Sequence, residues 1–196
     1  MSKLAFTASG AACVATAVPV MHLLGRDPSR AMAVNASTMT LFGVGWVLFA
    51  VGLAKPPPGA EDASDTWKKR QVALSVVGAI LIVLGVGAVR ARDKLKLPLA
   101  AGASAFVAGW GVLTAGIVHA DPDYADMGSQ EKLGRVIQSA TSSLVIVTGA
   151  ALISMTDAGV APAGGTVPLN SRTLEAAAVA TFVMGWLNAV AISALQ

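Results

Sequence analysis

The sequence predicts an all-α integral membrane protein whose six transmembrane helices form three pseudo-repeated helical hairpins. Three observations point there. The 196 residues are 55% hydrophobic and 13% charged, with a mean hydropathy of +0.67, a balance that a water-exposed surface could hardly carry. The apolar residues gather into six nearly uncharged runs of roughly 20 residues, the length that crosses about 30 Å of hydrocarbon at 1.5 Å per residue. Finally, a Phe-x-x-Gly-Trp pattern recurs in every second run.

The first run, Leu4 to Leu24, follows a lysine and is rich in small residues, as a signal sequence would be, but it is longer than a typical signal core and no polar cleavage region follows it. A retained helix is the expectation. The second run spans Val34 to Ala54, the third Val72 to Val89, the fourth Leu97 to Ala120, the fifth Val136 to Met155 and the sixth Leu174 to Leu195. Backbone polar groups in lipid must be satisfied within the segment, and the ten-residue alternation of a barrel is missing, so each run reads as a helix. Paired in order, they give hairpins over about 4–54, 72–120 and 136–195 in one transmembrane domain.

The pairing rests on the repeat. Phe42-x-x-Gly45-Trp46, Phe106-x-x-Gly109-Trp110 and Phe182-x-x-Gly185-Trp186 fall at one depth of the second, fourth and sixth helices. Eight and five residues before each glycine stand small residues: Ser37 and Thr40, Ala101 and Ser104, Ala177 and Ala180. An aspartate near the end of each odd helix (Asp27, Asp93, Asp157) precedes a proline before or at the start of the next (Pro28, Pro98, Pro168), where a missing N–H has no intrahelical partner to lose. Parallel repeats of this kind are related by an axis along the membrane normal, which favours a central passage or a central packed seam. Small residues at four-residue spacing, as in Ala101, Ala105 and Gly109 or Ala177, Thr181 and Gly185, let helices approach closely, and Gly45, Gly109 and Gly185 are the candidate packing positions. Phe and Gly, three apart, share a face, and Trp is turned about 100° from the glycine.

The chemistry offered is sparse. Intramembrane ionisable groups mark function by default, but Arg135 and Glu175 lie at helix ends, and the helix interiors carry hydroxyls and amides: Asn35, Thr38, Gln138, Ser139, Thr141, Ser142, Ser143 and Asn188. Ion coupling has no evident carrier. His22 and His119 fall on opposite membrane sides, so a haem held by both is not expected. Asp121, Asp123 and Asp126 lack the glycine and distal glutamate of a calcium loop, and read as a solvated acidic loop. No metal or cofactor is expected, and no catalytic set appears. The lone Cys13 forms no internal disulfide, and the net charge of +3 sits in loops with no basic face for nucleic acid. Basic groups such as Trp67-Lys68-Lys69-Arg70 read as contacts to lipid headgroups. Seven Lys and Arg on each side leave orientation, and the host membrane, open.

Three hairpins in this length, with Asp27-Pro28 and Asn35 after the first helix, Gly59-Ala60-Glu61-Asp62 after the second and an apolar run ending in His119, give a chain that resembles the proton-gated urea and amide channel family. That resemblance implies a six-helix pore assembled as a homo-oligomer. The first connection is not histidine-rich, and the family's tryptophan-rich segment near the end is represented only by Trp186, so acid gating is not implied. The acetate/succinate transporter family is similar in size and helix count, without its Asn-Pro-rich N-terminal signature here.

The leading expectation is thus a passive channel or facilitator for small neutral solutes. Phe42, Trp46, Phe106, Trp110, Phe182 and Trp186 would set the constriction, and Thr38, Ser104, Gln138 and Asn188 would supply hydrogen-bonding stations. Two alternatives stand beside it: a non-catalytic structural subunit of a larger membrane assembly, and a pigment- or lipid-binding membrane protein.

Overall fold

The computed structural model describes residues 2–25, 27, 29–90, 95–157 and 171–194. Its six long helices are α1 (Lys3–Leu24), α2 (Ala31–Ala54), α3 (Asp65–Arg90), α4 (Leu99–Val118), α5 (Ser129–Asp157) and α6 (Ser171–Ala194), with a 3₁₀ turn over Pro122–Asp126 between α4 and α5. No strand occurs among the described residues. All six helices are long and apolar enough to cross a membrane. Their outward faces are apolar too: Val44, Val47 and Val51 of α2, Ile80 and Leu84 of α3, and Met184 and Leu187 of α6 are all exposed, as lipid contact requires and water would penalise. The chain is an all-α, six-span membrane protein.

Two helices begin about two turns before their apolar runs. Helix α3 starts at Asp65 and α5 at Ser129, each seven residues upstream, because polar residues such as Lys, Arg, Glu and Gln are good helix formers and the limit of the apolar run marks lipid rather than helix. The Ser64 side chain accepts the Trp67 N–H at 3.2 Å, capping α3. Of the acid-proline turns, Asp27 accepts from the Ser29 hydroxyl at 2.6 Å and backbone N–H at 2.9 Å, which holds its carboxyl below the usual range, and Pro98 is the N-cap of α4. Pro28, Asp93 and Pro168 lie outside the described residues, as does most of the connection before α6. The acidic stretch after His119 is the 3₁₀ turn, capped by Asp121, which accepts from Asp123 N–H at 3.0 Å and pairs with Arg135 at 2.9 Å.

The closest packing is α1 on α2, α3 on α4 and α5 on α6; lighter seams join α2 to α3, α4 to α5 and α6 to α1. Three hairpins therefore stand in a ring. Within each, glycines set the spacing, and they do so at corresponding positions. A Cβ on Gly45 would lie 2.9 Å from the Gly10 carbonyl oxygen, one on Gly109 2.8 Å from that of Gly78, and one on Gly185 2.8 Å from the Ile146 nitrogen. One turn further along, Gly85 and Gly149 each leave a Cβ only 2.5 Å from the backbone nitrogen of Phe106 or Phe182. Without a hydrophobic driving force between helices in lipid, this backbone proximity, with its dense dispersion contact, is what holds a hairpin together.

Gly109→Ala therefore forces α3 and α4 apart and lowers stability by about 1–3 kcal/mol, the range for overpacking. Gly111→Ala, whose Cβ meets nothing within 4 Å, gains from the better helix propensity of alanine. Thermal unfolding in detergent checks the pair: the midpoint falls for the first variant and holds or rises for the second.

Candidate functional site

Helical register explains where the aromatic residues go. Phe and Trp of the pattern are four apart and share a stripe of α2, α4 or α6. The adjacent glycine faces the partner helix of the hairpin, so its stripe turns the tryptophan inward. Trp46, Trp110 and Trp186 meet one another, with ring centroids 5.6 Å, 5.4 Å and 5.7 Å apart, all in edge-to-face geometry. Each also meets its own Phe edge-on, at 6.2 Å, 6.4 Å and 6.5 Å. The tryptophans are at most 4% exposed. Pairs of this geometry add about 0.5–1.5 kcal/mol each beyond burial.

The triad closes the axis, and Phe49, which packs edge-on at 5.1 Å from Trp186, thickens the closure toward the side bearing the termini. Leu53, Leu113 and Ile117 are buried there as well. On the other side of the triad lies an apolar cavity of about 380 Å³. All six predicted aromatics line it, together with Val14, Ile82 and Ile146 at corresponding positions of α1, α3 and α5. His22 stands at its rim with Nε2 2.8 Å from a Glu175 oxygen, tying α1 of the first hairpin to α6 of the third.

The predicted polar stations are not assembled. Ser104 and Gln138 are exposed and are not among the side chains lining the cavity; Ser104 is two residues from Phe106 and therefore about 200° around the helix. Thr38 is buried, but its hydroxyl donates to the Val34 carbonyl at 2.7 Å. Asn188 donates to Ser142 Oγ at 2.6 Å, bracing α6 on α5. Counting polar residues along the run ignored their angle around the helix.

Angle identifies polar residues that the sequence reading did not assign to the axis. Seven residues make nearly two turns, so Thr7, Ser75 and Ser139 stand on the inward stripes of Val14, Ile82 and Ile146. All three are fully buried. The Thr7 hydroxyl bonds to the Lys3 and Leu4 carbonyls at 3.2 Å and 3.1 Å, whereas the Ser75 and Ser139 hydroxyls have no partner among the described residues. The indole N–H groups of Trp46, Trp110 and Trp186 likewise find no acceptor among them. The signal was available in the spacing of the odd helices.

At the end of α4 the His119 carbonyl accepts from Trp67 Nε1 at 3.1 Å and from the Gln71 side-chain amide, and the His119 ring stacks edge-on against Tyr124 at 4.5 Å. Burial, and then the Arg70 charge, hold the His119 imidazole below its ordinary value. Arg70, Lys132, Trp67 and Tyr124 share a recess with it. No group of three His, Cys, Asp or Glu side chains that could hold a metal occurs among the described residues.

Fold and site together define a six-span helical membrane protein with an axial aromatic closure over an apolar cavity. No family model matches the chain, and no curated protein or solved structure matches it.

Because the folded state favours neutral His119, the stability it contributes is complete above the ordinary imidazole pKa and is lost as pH falls below it. Thermal midpoints measured across mild acid fall with pH, and less steeply in His119→Gln.

Proposed function

We propose that the protein is a passage for small neutral solutes along the axis between its three hairpins, closed in this conformation by Trp46, Trp110 and Trp186. The hairpins act as three copies of one repeated unit, in a homo-oligomer whose outer apolar faces meet lipid and neighbouring copies.

One observation carries this reading: the three indole N–H groups at the closure are buried with no acceptor among the described residues. An indole N–H only donates, and leaving a buried donor unpaired costs about 1–3 kcal/mol. A structural subunit with a sealed core would be served as well by phenylalanine, without that penalty. Tryptophan is useful where an acceptor arrives, such as the carbonyl oxygen of urea or an amide, or the hydroxyl of glycerol. A solute moving between the rings would satisfy the donors that the closed state leaves idle, which lowers its barrier at the narrowest point. The inward Ser75 and Ser139 hydroxyls offer the next partners toward the termini.

Stopped-flow shrinkage of proteoliposomes in urea, acetamide and glycerol tests the proposal. At least one solute enters faster than in empty liposomes. Trp110→Ala, which opens the triad, raises the rate, and Trp110→Phe, which keeps the ring and removes the donor, lowers it by about fivefold, the equivalent of roughly 1 kcal/mol for one hydrogen bond. Rates equal to empty liposomes for every solute, in the parent and in Trp110→Ala, refute the passage.

A further inference from the structure

The axial cavity is not sealed on all sides. Among its lining residues, Leu99 (52% exposed) and Val107 (58%) of α4 are open to the surroundings, and so are Ala103 of α4 and Ala151 of α5. Those two helices belong to adjacent hairpins, and their seam is lighter than either of the other two between hairpins. The cavity therefore reaches the outer surface between α4 and α5. Val107 is the ninth residue of the 20-residue α4, which puts this opening within the hydrocarbon layer of a bilayer, where acyl chains rather than water adjoin it.

We propose that the cavity is a binding site for one acyl chain of a bilayer lipid, which enters sideways between α4 and α5 and ends against the tryptophan triad. Apart from His22, which is engaged by Glu175 at the rim, and the indole N–H groups of the triad at its closed end, the lining is apolar, so a lipid headgroup finds no partners along its walls. A methylene segment is matched, because it loses no hydrogen bonds on entry and gains dispersion contact with Phe106, Trp110 and Ile146. The outer surfaces of the two helices that flank the opening are apolar and exposed (Val107 of α4, Leu144 of α5), so the chain passes from lipid into the cavity without crossing a polar boundary. At about 380 Å³ the space takes a chain segment and excludes a whole lipid. This site stands whether or not the axis conducts; where it does, a bound chain shares the cavity with the solute.

Quenching of tryptophan fluorescence by lipids brominated along the acyl chain reads occupancy directly, since bromine quenches only at close range. Trp67 lies outside the cavity, so the Trp67→Phe background leaves the triad as the reporter. In bilayers of chain-brominated phosphatidylcholine the triad is quenched. Narrowing the opening from either side, with Ala103→Phe on α4 or Ala151→Leu on α5, reduces quenching by about twofold or more, as expected when a buried site loses its ligand; unchanged thermal midpoints certify the fold. A third comparison needs no variant at the opening: bromines placed far along the chain quench more than bromines placed next to the headgroup. Three results overturn the proposal: no quenching in the background protein, equal quenching with the opening narrowed in correctly folded variants, or quenching only by a free bromoalkane added to unbrominated bilayers. A parent protein that conducts solute but shows no quenching refutes this site and leaves the passage standing; quenching without conduction does the reverse.

Discussion

Everything in this molecule depends on how closely two helix backbones can approach inside each hairpin. In lipid, an apolar side chain gains little by leaving the hydrocarbon for a protein interior, so helix association rests on dispersion between well-fitted surfaces. Gly45 against Gly10, and Gly109 against Gly78, bring backbone within reach of backbone. Because these glycines stand next to Trp46 and Trp110 in the chain, the contact that closes the hairpin also fixes the rotation of its second helix. The aromatic centre is a consequence of hairpin packing: turn α4 by 100° and Trp110 leaves the axis.

The same rotation sorts the rest of the side chains. Residues on the inward stripe below the tryptophans are hydroxyl-bearing on the odd helices (Thr7, Ser75, Ser139) and apolar on α2 and α4 (Leu53, Ile117), all buried. Above the tryptophans, both sets are apolar and the space widens into the cavity. The two halves of the axis thus differ in chemistry although each hairpin sends one tryptophan to the point where they meet. The donors left idle at the centre are the point where the two halves meet.

Much of the fold was legible in the sequence, because the features that announce it are one-dimensional. Run length fixes the number of spans, and a motif recurring at one depth pairs the helices and sets their tryptophans level. The extra turns of α3 and α5 were not legible from hydropathy, since Asp65 to Gln71 and Ser129 to Arg135 are helical without being apolar. The site was legible in part. The six aromatics do gather, but whether they would ring an opening or fill it depends on interaxial distance, which composition does not encode. Ser104 and Gln138 were misjudged because polarity was read without angle. Ser75 and Ser139 were passed over as axial groups because their meaning lies in sharing a register with Val14 and its counterparts on the neighbouring helices. The side opening between α4 and α5 comes from unequal seams, and no local pattern in the chain marks which seam is weakest.

The triangle of tryptophans has a mechanical property as well as a chemical one. Each ring touches the other two and each comes from a different hairpin, so displacing any one of them breaks two of the three contacts at once. The three rings respond together to the in-plane distance between hairpins. Lateral pressure from the surrounding bilayer acts on that same distance, and a change in membrane packing at any face of the protein is therefore felt at a single point on its axis.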